Sequence, residues 1–219
     1  MSPRLDVILI GPPGAGKGTQ ASRFSQREGL THLSTGDLLR QAIAARTDVG
    51  LRVKAIVEAG GLAADELVLE LVEARLGGVG DSGILFDGFP RTIRQAELLA
   101  DLFSQRSLAP PVVIEIRVPA DDLIRRLTSR RTCSRCGPRP AGETVCGGCG
   151  QSLSVRADDS EEVARERLQV YEAQTAPLIA HYTDSGLLEP VDGLGDPEDI
   201  AARIASIVGG DRGREGPVR

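Results

Sequence analysis

The nine residues Gly11–Thr19, GPPGAGKGT, put four glycines and a lysine where an apolar run gives way to a helical pattern. Glycines let successive backbone N–H groups turn inward as an anion nest. A helix N-terminus adds its dipole, and Lys17 can reach the outer oxygens of a phosphate chain. The strict pattern has Ser or Thr directly after the lysine; here Gly18 follows and Thr19 comes next. The lysine is informative because Lys17 and Lys54 are the only two among 26 basic residues. Phosphate binding is the chemistry expected, against the plainer alternative of a Gly/Pro turn. All four cysteines lie together as Cys133-x-x-Cys136-Gly and Cys146-x-x-Cys149-Gly. Each turn places two thiolates on one side, and two such turns complete a tetrahedron around zinc. Nine residues separate the pairs, against roughly fifteen to twenty in the usual spacing. A site with four protein ligands has no open position, so the zinc expected here is structural. A redox dithiol pair, an iron–sulfur site and an insert that holds no metal are the competing readings. His32 and His181 have no evident catalytic neighbour in the sequence, which gives no support to a histidine base.

These groups must be positioned by a scaffold, and the hydropathy pattern supplies one. At 219 residues the chain can bury a sizeable core, built mainly from Leu, Val, Ile and Ala since aromatics are 3% and Trp is absent. Short β-branched runs alternate with helical patterns, which signals parallel βαβ units. LDVILI (Leu5–Ile10), THL (Thr31–Leu33), GILF (Gly83–Phe86), VVIEIRV (Val112–Val118) and LLEPV are the expected strands. Ser34 or Thr35 is placed to cap one helix, and DELVLELVEARL forms another. DSEEVARERLQVYEAQTAPLIAHY reads as a long helix that Pro177 bends or interrupts, and PEDIAARIASIV as the last. A net charge of −5 opposes nucleic acid as the main partner. With no apolar run long enough to span a bilayer and no N-terminal apolar segment, a soluble cytoplasmic protein is expected, monomeric by default.

Six strings in order carry a resemblance over nearly the whole chain to about Val208. They are GPPGAGKGTQA, STGDLLR (Ser34–Arg40), AGGLAADELV (Ala59–Val68), LFDGFPRTIRQAE (Leu85–Glu97), Arg130–Arg131 ahead of the cysteines, and RADDSEEVARERLQVY (Arg156–Tyr171). Together the sequence resembles the adenylate kinase family of nucleoside monophosphate kinases. The resemblance implies an α/β fold: a three-layer α/β/α P-loop kinase with a five-stranded parallel sheet, a helical NMP-binding insertion and a small zinc-ribbon-like lid. It implies reversible Mg²⁺-dependent transfer between ATP and AMP, giving two ADP. The core would comprise 1–33, 64–129 and 159–208, the NMP-binding segment 34–63, the lid with its four-cysteine site 130–158, and a disordered tail 209–219.

By motif match, the resemblance assigns ATP to Gly14, Ala15, Gly16, Lys17, Gly18 and Thr19, with Arg126 against the adenine and Gly195 offering it a carbonyl. Arg40 and Arg91 would fork onto the AMP phosphate, as a bidentate guanidinium can and an ammonium cannot. Thr35, Gln95 and the backbone of Gly61, Leu62, Ala63, Gly88, Phe89, Pro90 and Arg91 would receive the rest of AMP. Lys17, Arg91, Arg130, Arg156 and Arg167 would be catalytic, with Arg130 also touching ATP, Arg156 and Arg167 also touching AMP, and Asp87 holding Mg²⁺ through water. Ala63–Ala64 replace the family's frequent Val-Pro, and Arg94 a frequent proline. The rival readings are a kinase for UMP or CMP, a P-loop regulatory ATPase with no acceptor, and a zinc-ribbon nucleic-acid adaptor, which the charge and scarce aromatics disfavour.

Overall fold

The computed structural model describes residues 4–76, 83–135, 137–139, 143–156 and 159–211, with backbone alone at 137–139 and 210–211. Cys136 and residues 212–219 lie outside the described residues. The apolar runs become strands β1 (Val7–Ile10), β2 (Thr31–Ser34), β3 (Ile84–Asp87), β4 (Val112–Arg117) and β7 (Leu188–Asp192). They form one five-stranded sheet in the order β2-β3-β1-β4-β7, parallel throughout.

Alternation along each strand feeds two cores. Ile8, Ile10, Leu33, Phe86 and Val113 face one layer; Val7, Leu9, Leu85, Ile114 and Ile116 face the other. Strands buried on both faces read as unbroken apolar runs, as these do. Helices α4 (Asp65–Leu76), α5 (Ile93–Gln105) and α8 (Pro177–Asp184) cover the first face with Val72, Leu99 and Leu178. Helices α1 (Lys17–Glu28), α6 (Ala120–Ser129) and α9 (Pro197–Asp211) cover the second with Phe24, Leu123 and Ile204. Burying each such side chain contributes about 1.5–3 kcal/mol. The α9 backbone stays helical through Asp211, past the expected end at Val208, because Ile204 and Val208 hold the last turns against the sheet.

Helices α2 (Thr35–Ala44) and α3 (Asp48–Glu58) form the insertion after β2. Ser34 caps α2, its Oγ accepting the Asp37 N–H, so the Thr35 hydroxyl is not needed as the cap. The long helical pattern after the cysteines is interrupted ahead of Pro177. It consists of α7 (Glu161–Val170), a π turn over Tyr171–Thr175 and α8. Ala176 N–H reaches back five residues to the Tyr171 carbonyl at 2.8 Å. Pro177 then opens α8, where its missing N–H is no loss. The cysteine segment forms an antiparallel hairpin, β5 (Arg131–Cys133) with β6 (Gly137–Arg139). Bridges Thr132–Ser154 and Val145–Ser152 extend it.

Strand β1 is the switch point of the sheet. The chain leaves it through α1 to reach β2 beyond β3, while β3 connects across β1 to β4. In open parallel sheets ligands bind outside the carboxyl ends at such a point. The loops after β1, β2, β3 and β7 gather there.

Candidate active site

The loop Gly11–Gly16 joins β1 to α1. Gly16 occupies the N-cap with φ 93°, a left-handed conformation that demands glycine, and no side chain caps the helix. The first N–H groups of α1 therefore have no intrahelical partner and face the loop mouth. Lys17 folds along the loop and donates to the Gly11 and Pro12 carbonyls at 2.6 and 2.9 Å. Desolvation pulls its ammonium down to about 7; Arg91, Arg167 and Arg130 push the same way and Asp87 opposes them. Four expected site residues thus share the electrostatic field around one lysine. Ala15 packs inward, Gly14 is half-buried, Gly18 is the second residue of α1, and Thr19 lies exposed on the same helix.

Asp87 ends β3 beside that turn: a Cβ on residue 18 would lie 3.3 Å from its Oδ2. A glycine after the lysine, where the strict motif has a hydroxyl residue, gives the carboxylate this proximity. His32 on β2 approaches the same oxygen at 3.4 Å. A carboxylate oxygen at the mouth of an anion nest suits a hard divalent cation, so Asp87 fits the magnesium role.

Two adjoining pockets open on the carboxyl edge. One is lined by Thr35, Arg40, Gly61, Leu62, Ala63 and Gln95, the other by Lys17, Gly11, Pro13, Pro90, Tyr171 and Thr175. Gly60, Leu62, Gly88, Arg91 and Arg167 line both. Of the acceptor residues expected from sequence, the first pocket collects all but Phe89, Pro90 and Arg156. The Phe89 side chain is fully buried against Phe86, with ring centroids 6.2 Å apart, so only its backbone can serve a ligand. Thr35 Oγ1 donates to the Gly88 carbonyl at 2.7 Å, and Arg91 Nε donates to the same oxygen at 2.8 Å. Gly88 has φ 78°, and a Cβ there would lie 2.8 Å from the Arg91 guanidinium. The peptide Phe89–Pro90 is cis. Gly60 presses on the opposite wall, where a Cβ would meet Arg167 Cγ at 2.7 Å.

Arg130, at the C-cap of α6, and Arg167 on α7 converge on an acid that the motifs do not single out. Asp159, with no exposed side-chain surface, accepts from Arg130 Nε at 2.7 Å and Arg167 Nη1 at 3.0 Å, and also pairs with Arg130 Nη2. Nothing in DDSEE distinguishes this aspartate from the acids around it. Arg156 donates to Thr132 Oγ1 at 3.1 Å and stands 3.9 Å from Asp37. Burial works against the charge on Asp37, but Arg40, Arg156 and Ser34 outweigh it and hold its carboxyl below the usual range. Arg126 reaches from α6 to the Gly193 carbonyl at 3.3 Å, at the loop where Gly195 turns with φ 105°.

Cys133, Cys146 and Cys149 bring their sulfurs within 4.8 Å of one another. The Cys133–Cys149 separation of 3.4 Å is far beyond a disulfide bond of about 2 Å. It approaches the ~3.8 Å edge of a tetrahedron with metal–sulfur bonds of ~2.3 Å. Burial raises the Cys146 thiol, but the N–H groups of Gly148 and Cys149 and the neighbouring thiols more than reverse this, bringing it to about 6. A thiol that ionises easily inside a sulfur cluster suits zinc; Cys136, the fourth expected ligand, lies outside the described residues.

A family model described as adenylate kinase matches residues 9–187. Among curated relatives, an adenylate kinase of Magnetococcus marinus is 44% identical over 213 residues, covering 94% of this chain and 100% of its own. One of Erythrobacter litoralis is 43% identical over 213 residues, covering 93% and 100%. Another, of Carboxydothermus hydrogenoformans, is 44% identical over 208 residues, covering 91% and 97%. A phosphate-type loop at the sheet's switch point, paired pockets sharing two arginines, and full-length similarity to these proteins agree: the chain belongs to the adenylate kinase family.

Proposed function

We propose that this chain catalyses the reversible transfer ATP + AMP = 2 ADP. The observation that carries the reading is the pair of abutting pockets with Arg91 and Arg167 in both walls. One ends at Lys17 and the glycine loop, the other at Thr35, Arg40 and Gln95. Two nucleotides seated there would meet phosphate to phosphate at the shared arginines. An AMP phosphate oxygen then attacks the terminal phosphorus of ATP in line; the new P–O bond forms as the bond to the bridging oxygen breaks, and ADP leaves from each side.

Such a transfer needs alignment and charge neutralisation more than covalent help. The loop N–H groups and Lys17 hold the donor phosphates, with Arg126 and the Gly195 carbonyl at the adenine. Arg40 and Arg91 hold the acceptor phosphate, with Thr35, Gln95 and the backbone of Gly61–Ala63 and Gly88–Arg91 around the rest of AMP. Arg130, Arg156 and Arg167 stabilise the equatorial oxygens, and Asp159 keeps two of these guanidiniums in place. Asp87 would hold magnesium through water, and the bound ion would supply further neutralisation of the transferring oxygens. Segment 130–158 acts as a lid that excludes water; Cys133, Cys136, Cys146 and Cys149 would hold zinc, which would stand in for the hydrophobic core the segment is too small to build. Segment 34–63 is the acceptor-binding unit, and 1–33, 64–129 and 159–208 the core. Among the described residues no helix is long and apolar enough to cross a membrane; the protein is proposed to act as a cytoplasmic monomer.

The test is a coupled assay of ADP formation from ATP and each of AMP, UMP and CMP with Mg²⁺. Rapid turnover with AMP supports the reading. Preference for UMP or CMP would reassign the acceptor, and ATP hydrolysis with no acceptor dependence would overturn it.

A further inference from the structure

A glutamine amide has two ways round, and the groups beside Gln95 permit one. Its Nε2 donates to Asp65 Oδ1 at 2.7 Å, and its Oε1 accepts the Arg91 backbone N–H at 2.7 Å. Neither partner can change sign, since a carboxylate only accepts and a peptide N–H only donates. The orientation is therefore fixed by chemistry and not by a choice between similar atoms. Turning the amide by half a rotation would set oxygen against carboxylate and N–H against N–H. Gln95 is 2% exposed, so solvent cannot relieve either clash. Asp65 is itself held, its Oδ2 accepting from Thr92 Oγ1 at 3.1 Å. That hydroxyl in turn accepts the Gln95 backbone N–H at 3.1 Å as the cap of α5. The first turn of α4 is thereby tied to the first turn of α5 with the glutamine between them.

Each amide has two N–H groups and two oxygen lone pairs. With one of each engaged, Gln95 still carries one donor and one acceptor, and it lines the acceptor pocket. A 6-aminopurine presents a donor, the exocyclic N–H, beside the acceptor N1. A 6-oxopurine presents the reverse, an acceptor O6 beside a donor N1–H. A fixed amide serves one of these edges; an amide that turns freely serves both.

We propose that Asp65 is a positioning residue which, by locking the Gln95 amide, makes the acceptor pocket select 6-aminopurine over 6-oxopurine monophosphates. The inference rests on the acceptor-site reading above. Asp65 touches no nucleotide in this scheme; it sets which way round Gln95 meets the base.

Asp65→Asn separates this role from a structural one. Asparagine keeps the size and can pair with either face of Gln95, so it preserves packing and removes the Asp65 half of the lock, leaving the Arg91 N–H to hold the amide alone. The experiment measures kcat and KM for AMP and inosine monophosphate at saturating ATP, with melting temperatures, for wild type, Asp65→Asn and Asp65→Ala. The ratio of kcat/KM for AMP over inosine monophosphate is expected to fall about tenfold in both variants, on the monophosphate KM. The KM for ATP and kcat with AMP should stay within about twofold, and the Asp65→Asn melting temperature within about 2 °C. An unchanged ratio in Asp65→Asn, or losses confined to kcat or stability, would overturn the proposal. If Asp65→Asn does not fold, Asp65→Ala carries the same comparison. Wild-type protein that makes no ADP from AMP would instead remove the acceptor-site reading, and this inference with it.

Discussion

Replacing Asp159 by Asn tests whether the convergent arginines need their shared acid. The carboxylate has no exposed side-chain surface, while Arg130 and Arg167 keep 23% and 16% of theirs. Three donor contacts reach its two oxygens. Asparagine offers one acceptor and turns an N–H₂ toward a guanidinium, so at least one arginine loses its anchor and both lose their counter-charge. Breaking a fully buried pair costs about 3–5 kcal/mol. Solvent reaches both arginines, which reduces this to about 2–3 kcal/mol. Holding the guanidiniums on the transferring group must then be achieved without Asp159, and the same energy appears in the barrier. At about 1.36 kcal/mol per decade, kcat should fall roughly a hundredfold, with the AMP KM changed less than about threefold. Coupled ADP-formation kinetics measure both, and circular dichroism checks the fold. A kcat within threefold of wild type would show that Asp159 is a passive packing partner and sink the reasoning.

Further outcomes are expected. Lys17, held at about 7 against an ordinary 10.5, is mostly neutral at pH 8 and should recover its proton when polyphosphate binds. Calorimetric titration with tripolyphosphate at pH 8 in Tris and in HEPES should show uptake of roughly one proton, lost in Lys17→Met; buffer-independent heats would refute this. Because its folded value is depressed, the folded chain binds fewer protons between about pH 7 and 10.5. Lys17 therefore lowers stability fully below that window and ceases to do so as pH rises through it. Prolonged strong chelation should lower the melting temperature by about 5 °C or more while the AMP KM stays within about twofold; an unchanged melting curve would reject structural zinc. Gly60→Ala places a Cβ 2.7 Å from Arg167 Cγ at a positive φ, and kcat should fall about tenfold with the ATP KM preserved. Steady-state kinetics in both substrates decide that case.

The glycine loop, the five strands and the insertion after β2 were legible because each has a local signature: a nest, an apolar run, a capped amphipathic pattern. Most residues lining the first pocket could be named as well, since motif order carries them. What remained hidden is pairing between distant acids and polar groups. Asp65 looks like an ordinary acid in a helix's first turn, and only the fold brings it to Gln95, thirty residues on. Asp159 is one of four acids in the five residues 158–162, and its inward turn depends on where α7 begins. The sequence offers Ser34 or Thr35 as the cap of α2; Ser34 takes the place, and the Thr35 hydroxyl turns to Gly88, a choice that depends on the fold. Phe89 sits in a motif whose neighbours line the site, yet its side chain belongs to the core, a division that sequence order does not display. The π turn has no sequence signal beyond a proline downstream.

That turn constrains how the chain can vary in length. Thr175 within it donates to the Arg91 carbonyl at 2.9 Å, so the wide turn is pinned to an arginine that lines both pockets. Deleting one residue from Tyr171–Thr175 would restore ordinary helical phase and swing everything after it by about 100°. Leu178 and Tyr182 would then leave the sheet, or else Arg167 would rotate out of the pockets. This five-residue spacer thus fixes the distance between chemistry and core.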